Sequence, residues 1–104
     1  MDINIMNNNG QYVFKLAGMI DSMAAPDFQA AVEKAASETY EKGGFNAVFD
    51  MADVEFISSA GLRVLLMARK TADRQNGTIA VTNVKQSIRE VFDMTGFSKI
   101  LNIK

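Results

Sequence analysis

The sequence predicts an α/β fold: an N-terminal β-hairpin, then alternating helices and strands, giving a mixed sheet of about five strands with helices packed mainly on one face. Three observations predict it. Two short apolar runs near the N-terminus flank an Asn-rich turn that ends in Gly10. Two longer segments place their apolar residues at helical spacing, and each is closed by a Gly-containing pair. Short β-rich runs follow each of those segments, and strands that alternate with helices imply parallel βαβ units with right-handed crossovers.

The elements follow in order. Ile3 to Met6 and Tyr12 to Leu16 read as the hairpin strands, with Asn7, Asn8, Asn9 and Gly10 as the turn. Gly18 to Ala25 is the expected connector, and Pro26 suits a first helical turn, where its missing N–H costs nothing. From Pro26 to Lys42, the apolar residues Phe28, Val32, Ala35, Ala36 and Tyr40 form one face, and Gln29, Glu33, Lys34, Glu38 and Glu41 the other. Gly43 and Gly44 end that helix. Phe45 to Phe49 is a short strand, with Asp50 marking its end. A second helix runs from about Ser59 to Gln75, with Leu62, Leu65, Leu66, Met67 and Ala72 on its apolar face and Asn76 and Gly77 as its stop. Thr78 to Val81 is a strand. Ser87 and Glu90 have capping-box spacing for a third helix that buries Val91 and Phe92 and ends at Thr95 and Gly96. Ile100 to Ile103 is the last strand.

Composition bounds the function. A chain of 104 residues has the length of a single domain, residues 1–104, with one hydrophobic core. The formal net charge of -1, with both signs interleaved, is wrong for a nucleic-acid surface, which needs a basic stripe to neutralise phosphates. No segment approaches the roughly 20 consecutive apolar residues of a membrane span. The N-terminus lacks the basic and apolar regions of a signal peptide, so a cytoplasmic protein is expected. With no His and no Cys, the chain cannot build a Ser-His-Asp or Cys-His unit, a zinc site of the usual kind or a disulfide. No metal and no cofactor is expected, and any chemistry on this chain is expected to be performed by another protein.

The segment FDMADVEFISSAGLRVLL, Phe49 to Leu66, carries the functional signal. Adjacent serines, Ser58 and Ser59, join an apolar strand to an apolar helix at the carboxyl end of a parallel strand, where ligands and partners usually meet such sheets. One reading makes a serine the helix N-cap, contributing about 1 kcal/mol. No capping box reinforces it, since Leu62 stands three residues past Ser59. The other reading makes a serine a phosphoacceptor. A phosphate there sits beside the unpaired N–H groups and positive dipole end of the helix, so the domain tolerates it while its surface changes charge.

The stretches IDSMAAPDF, FDMADVEFISSAGLRVLL and VFDMTGF together resemble the anti-sigma factor antagonists, bacterial single-domain proteins of the STAS fold. The resemblance covers essentially the whole chain. In that family the segment reads as Asp or Ser, then the phosphorylated Ser, then a small residue, then Gly-Leu. Matching on Gly61 and Leu62 puts Ala60 at the small position, Ser59 at the acceptor and Ser58 where Asp often stands, with Ser58 as competing acceptor. The resemblance implies partner switching. The unphosphorylated form binds an anti-sigma factor that is also a serine kinase, phosphorylation ends the complex, and a serine phosphatase restores it. The protein is then a substrate and not an enzyme.

Five further residues complete the candidate partner surface. Asp21 matches the acidic end of the family's Gly-Glu-Leu-Asp connector, or else is a turn carboxylate before a helix; Met19 stands where the family has Glu. Asp50 and Asp53 steer a basic partner or approach a kinase-bound nucleotide, or else satisfy turn N–H groups. Gly61 permits close packing of helix on sheet. Arg63 projects from the exposed side of the second helix. Three other classes stand beside this reading. A response-regulator receiver would need an acidic pair after its first strand, and MNNNG has none. A nucleotide hydrolase would need a phosphate-binding loop, and none is present. A non-enzymatic STAS subunit of a signalling scaffold or lipid-transport complex is the alternative that keeps the fold.

Overall fold

The computed structural model describes residues 1–40 and 43–104; Glu41 and Lys42, expected in the last turn of the first helix, lie outside the described residues. The chain forms β1 (Asp2–Asn8), β2 (Gln11–Ile20), α1 (Ala25–Thr39), β3 (Asn46–Ile57), α2 (Ser59–Arg74), β4 (Thr78–Thr82) and α3 (Gln86–Thr95), followed by a 3₁₀ turn at Phe97–Lys99. The four strands lie in the order β1-β2-β3-β4. β1 and β2 are antiparallel, while β2, β3 and β4 are mutually parallel.

The hairpin closes through a two-residue loop. Asn9 and Gly10 both have positive φ, 54° and 92°, as a primed turn requires, and Asn7 Oδ1 accepts from Gly10 N–H at 2.9 Å. Along β2, Tyr12, Phe14, Leu16 and Ile20 are buried, while Lys15 and Met19 are exposed, so one face of the sheet carries the core. Phe14 and Phe49 are paired across β2 and β3 and stack at 4.9 Å between ring centroids. Phe28 of α1 meets Phe49 edge-on at 5.8 Å, which fixes α1 against that face.

Several boundaries differ from the sequence expectation. β2 continues through Gly18 to Ile20, residues expected in the connector, because Ile20 is buried and pairs with Ile57. β3 runs on past Asp50 to Ile57. Its pairing with β4 stops at Asp50 and Thr82, but its pairing with β2 continues. Beyond Asp50 the buried residues Met51, Val54 and Ile57 come every third position, and the β2–β3 register shifts twice. That irregular spacing hid the second half of the strand from a search for alternation.

In α1, Thr39 is buried and Tyr40 is 74% exposed, the reverse of the expected apolar face. Gln75 reaches across from the end of α2 to explain it: its Nε2 donates to Ala36 O and its Oε1 accepts from the Thr39 hydroxyl, each at 3.0 Å. The capping box at Ser87 does not form. α3 begins two residues earlier, with Lys85 as N-cap and no side-chain cap bond, so Ser87 is already inside the helix. Lys85 Nζ bonds Glu55 at 2.8 Å and holds the entry of α3 against the end of β3. The last strand shrinks to one bridge, Ile103 beside Val81, because the 3₁₀ turn takes up the chain before it and Leu101 turns into the core. The sheet therefore has four strands where about five were expected.

Candidate functional site

β2 and β3 end side by side, and the serine turn is built on those ends. Ser58 N–H donates to Ile20 O at 2.8 Å, tying the start of α2 to the last residue of β2. Ser58 has extended backbone (φ −90°, ψ 172°), and its Oγ accepts from Gly61 N–H at 3.3 Å, which makes it the N-cap of α2. Ser59 is the first helical residue and is exposed, whereas Ser58 is half-buried. The cap reading of the serine pair thus falls on Ser58. Ser58 is occupied with the helix, and Ser59 presents its hydroxyl at the surface.

Gly61 explains the closeness of this turn to the sheet. A Cβ there would lie 2.7 Å from Ile20 Cγ2, 2.9 Å from Ile57 Cγ1 and 3.1 Å from Ile20 O, all inside ordinary contact distance. A side chain at 61 would push the start of α2 off the strand ends. Ala60 is half-buried beside it, and Arg63 is exposed one turn along. Arg63 and Ala60 line a shallow groove between α2 and α1, whose opposite wall is Pro26, Gln29 and Glu33.

Asp21 belongs to the same corner. Its Oδ1 accepts from Met23 and Ala24 N–H at 3.1 and 2.9 Å, and its backbone carbonyl accepts from Ala24 and Ala25 N–H. The carboxylate supplies the start of α1, whose own N-cap, Ala24, has no side chain able to do so. Asp50 and Asp53 are not gathered there. Asp50 Oδ1 accepts from Ala52 N–H and Asn83 Nδ2, both at 3.1 Å, and the residue lies level with Lys15 and Thr82. Seven residues of strand separate it from Ser58, roughly 25 Å at the usual rise. Asp53 is exposed and level with Ala17, part of the way back along the same strand.

The corner also contains Phe56 and Met23, which sequence reasoning missed, and Met19, whose exposure it did not foresee. Phe56 and Met19 are register partners at the ends of β3 and β2 and are 44% and 51% exposed. Met23, 89% exposed, lines a groove with Met1, Met19 and Asp21. The available signal was Phe56, a large apolar residue out of step with the buried series Met51, Val54, Ile57.

Ser59 is exposed at the head of α2. No acidic residue occupies the first turn of α2, so no neighbouring carboxylate there can act as a base on Ser59. Among the described residues no group of three His, Cys, Asp or Glu side chains is placed to hold a metal ion. No described helix is long and apolar enough to cross a membrane.

The fold and the strand-serine-helix corner are those of a STAS domain, and the family model for the STAS domain matches residues 2–104; the chain belongs to that family. It is 32% identical over 103 residues to BtrV of Bordetella bronchiseptica, a protein provisionally designated an anti-sigma factor antagonist, covering 99% of this chain and 85% of that one. The anti-sigma-B factor antagonist of Bacillus subtilis is 24% identical over 103 residues, covering 99% and 90%. Among solved structures, the anti-sigma factor antagonist SpoIIAA in its unphosphorylated form superposes with a TM-score of 0.77 at 17% identity, covering 99% of this chain and 87% of that one. The phosphorylated form of the Bacillus SpoIIAA superposes with a TM-score of 0.75 at 17% identity, covering 99% and 91%.

Proposed function

We propose that this chain is an anti-sigma factor antagonist that acts by partner switching, with Ser59 as its phosphoacceptor. Unphosphorylated, it binds an anti-sigma factor that is also a serine kinase. Transfer of phosphate to Ser59 ends the complex, and a serine phosphatase resets it. The chain is the substrate in this cycle, which runs in the cytoplasm. The observation that carries the reading is the separation of roles at the corner: Ser58 caps α2, so Ser59 can gain and lose a phosphate while the cap bond stays in place. The names of the bacterial relatives and the match to them over 99% of this chain support it.

A phosphate on Ser59 would add close to two negative charges beside the first N–H groups of α2, which the helix dipole favours. The same charge would enter a surface flanked by exposed apolar residues and by Asp21, where a partner shaped for a neutral hydroxyl loses complementarity. Ala60, Gly61 and Arg63 complete the partner surface around the hydroxyl.

Peptide-resolved mass spectrometry of the protein from its native cells, beside a phosphatase-treated control, tests the assignment. Phosphate on Ser59 that disappears with phosphatase is the expected result. Phosphate on Ser58 would move the acceptor by one residue and require the cap bond to break. Serines that stay unmodified under every growth condition would remove the switch and leave a STAS subunit of a scaffold or transport complex.

A further inference from the structure

The two edges of the sheet differ. Along β4 the outer side is paired at one residue: Val81 N–H donates to Asn102 O at 2.8 Å, and Val81 O accepts from Lys104 N–H at 2.9 Å. β1 pairs with β2 on one side only, and no described strand lies on its other side.

The hairpin register determines which groups of β1 face that open side. Asn8 and Gln11 flank the two-residue loop and form its hydrogen-bonded pair. Bonded and non-bonded pairs alternate along an antiparallel ladder, so Met6, Asn4 and Asp2 also direct their backbone groups toward β2. Ile3, Ile5 and Asn7 therefore direct N–H and C=O outward. These three positions are symmetric about Ile5.

Natural sheet edges are usually protected by lysine, proline, a bulge or a covering segment. Among the described residues, β1 has none of these. Its register is regular over all its pairs with β2, and residues 3 to 8, INIMNN, carry no charge. Ile5, at the centre, is 44% exposed.

We propose that β1 pairs antiparallel with β1 of a second copy of this chain, about a two-fold axis through Ile5. In this register Ile5 lies opposite Ile5 of the second copy and Ile3 opposite Asn7, so every outward N–H of the three residues meets an outward carbonyl. The only charge on the strand, Asp2, lies opposite Asn8, and no like charges meet. Beside the edge runs a groove lined by Ile5, Tyr12, Ala31 and Ala35, with Lys34 and Glu38 also on its wall. It accepts the apolar Ile5 pair, and each copy contributes one cation and one anion to the rim. A second copy suits this edge better than an unrelated strand, because the outward groups, the charge and the central isoleucine match their own reverse. This pairing does not depend on the switch at Ser59, which lies at the carboxyl ends of β2 and β3 and stays free in the dimer.

Sedimentation velocity on the intact chain, at rising concentration to about 1 mM, tests the pairing; the particle mass should double from 11.4 kDa. Ile5→Lys and Ile5→Glu should each remain at the single mass, and mixing them in equal amounts should restore the doubled mass, since opposite charges then meet at the axis. The chain has no cysteine, so single thiols report the register directly. In a hydrogen-bonded pair the two Cα atoms lie about 5.5 Å apart, within disulfide range. Ile5→Cys should therefore cross-link under mild oxidation while Ile3→Cys stays unlinked. A wild-type chain that keeps its single mass throughout overturns the proposal. So does Ile3→Cys linking as readily as Ile5→Cys, whether or not the charged variants fold.

Discussion

The two ends of α2 are held by opposite means. At its N-terminal end one serine hydroxyl caps the helix and the adjacent hydroxyl is left at the surface. At its C-terminal end nothing is left over. Gln75 bonds Ala36 and Thr39 of α1, Gly77 N–H donates to Ala72 O at 2.8 Å, and Gly44 and Gly77 let the two chain segments touch backbone to backbone. A Cβ on Gly44 would lie 2.5 Å from Gln75 O, and one on Gly77 would fall onto the Phe45 carbonyl. The closed end anchors the helix, so on the proposed switch the open end would change its charge without losing the fold.

That difference can be broken from either side. The largest effect should come from Gly77→Ala, because the obstructing atoms are backbone and cannot swing away; a loss of about 3 kcal/mol or more is expected from the denaturation midpoint. A loss below about 1 kcal/mol would mean that the closed end yields, and the contrast would fail. Gly61→Ala should cost less, about 1–2 kcal/mol, since its neighbours are mainly isoleucine side chains and the helix gains from alanine. Ser58→Ala removes the cap bond and should cost about 1 kcal/mol while leaving Ser59 fully phosphorylatable. Phosphate that vanishes in this variant would reassign the acceptor.

The smallest stability effects belong to the exposed serine. Ser59→Ala should stay within about 0.5 kcal/mol of wild type and yet abolish phosphorylation, giving a chain that stays bound to its partner. Ser59→Asp should act in opposite directions on two measurements. Stability rises by about 0.3–1 kcal/mol through the helix dipole, and affinity for the partner, read by calorimetry, falls. Unchanged affinity would count against charge as the signal.

Much of this is legible in the sequence. The Asn-Gly hairpin, both long helices, the Asn76–Gly77 stop and the serine turn each have a local physical cause carried by neighbouring residues. Gly96, with φ 80°, ends α3 as expected. What failed depended on partners distant in sequence. Tyr40 and Thr39 exchanged places because Gln75, more than thirty residues away, bonds the Thr39 hydroxyl. Ser87 lost its capping role to an entry point held by Lys85 and Glu55. Asp50, read as the end of a strand, lies within β3 because β2 continues to pair where β4 stops.

The candidate site divides in the same way. From the sequence alone come the two serines at the head of a helix, the packing role of Gly61 and the absence of on-chain histidine or cysteine chemistry, since spacing and residue type suffice for these. Tertiary structure alone decided that Ser58 caps and Ser59 is exposed, that Asp21 sits at the same corner while Asp50 does not, and that Met19 and Phe56 lie side by side. The reason is physical: a helix start or a turn is governed by a few adjacent residues, whereas strand register and exposure are determined by which distant segment packs alongside.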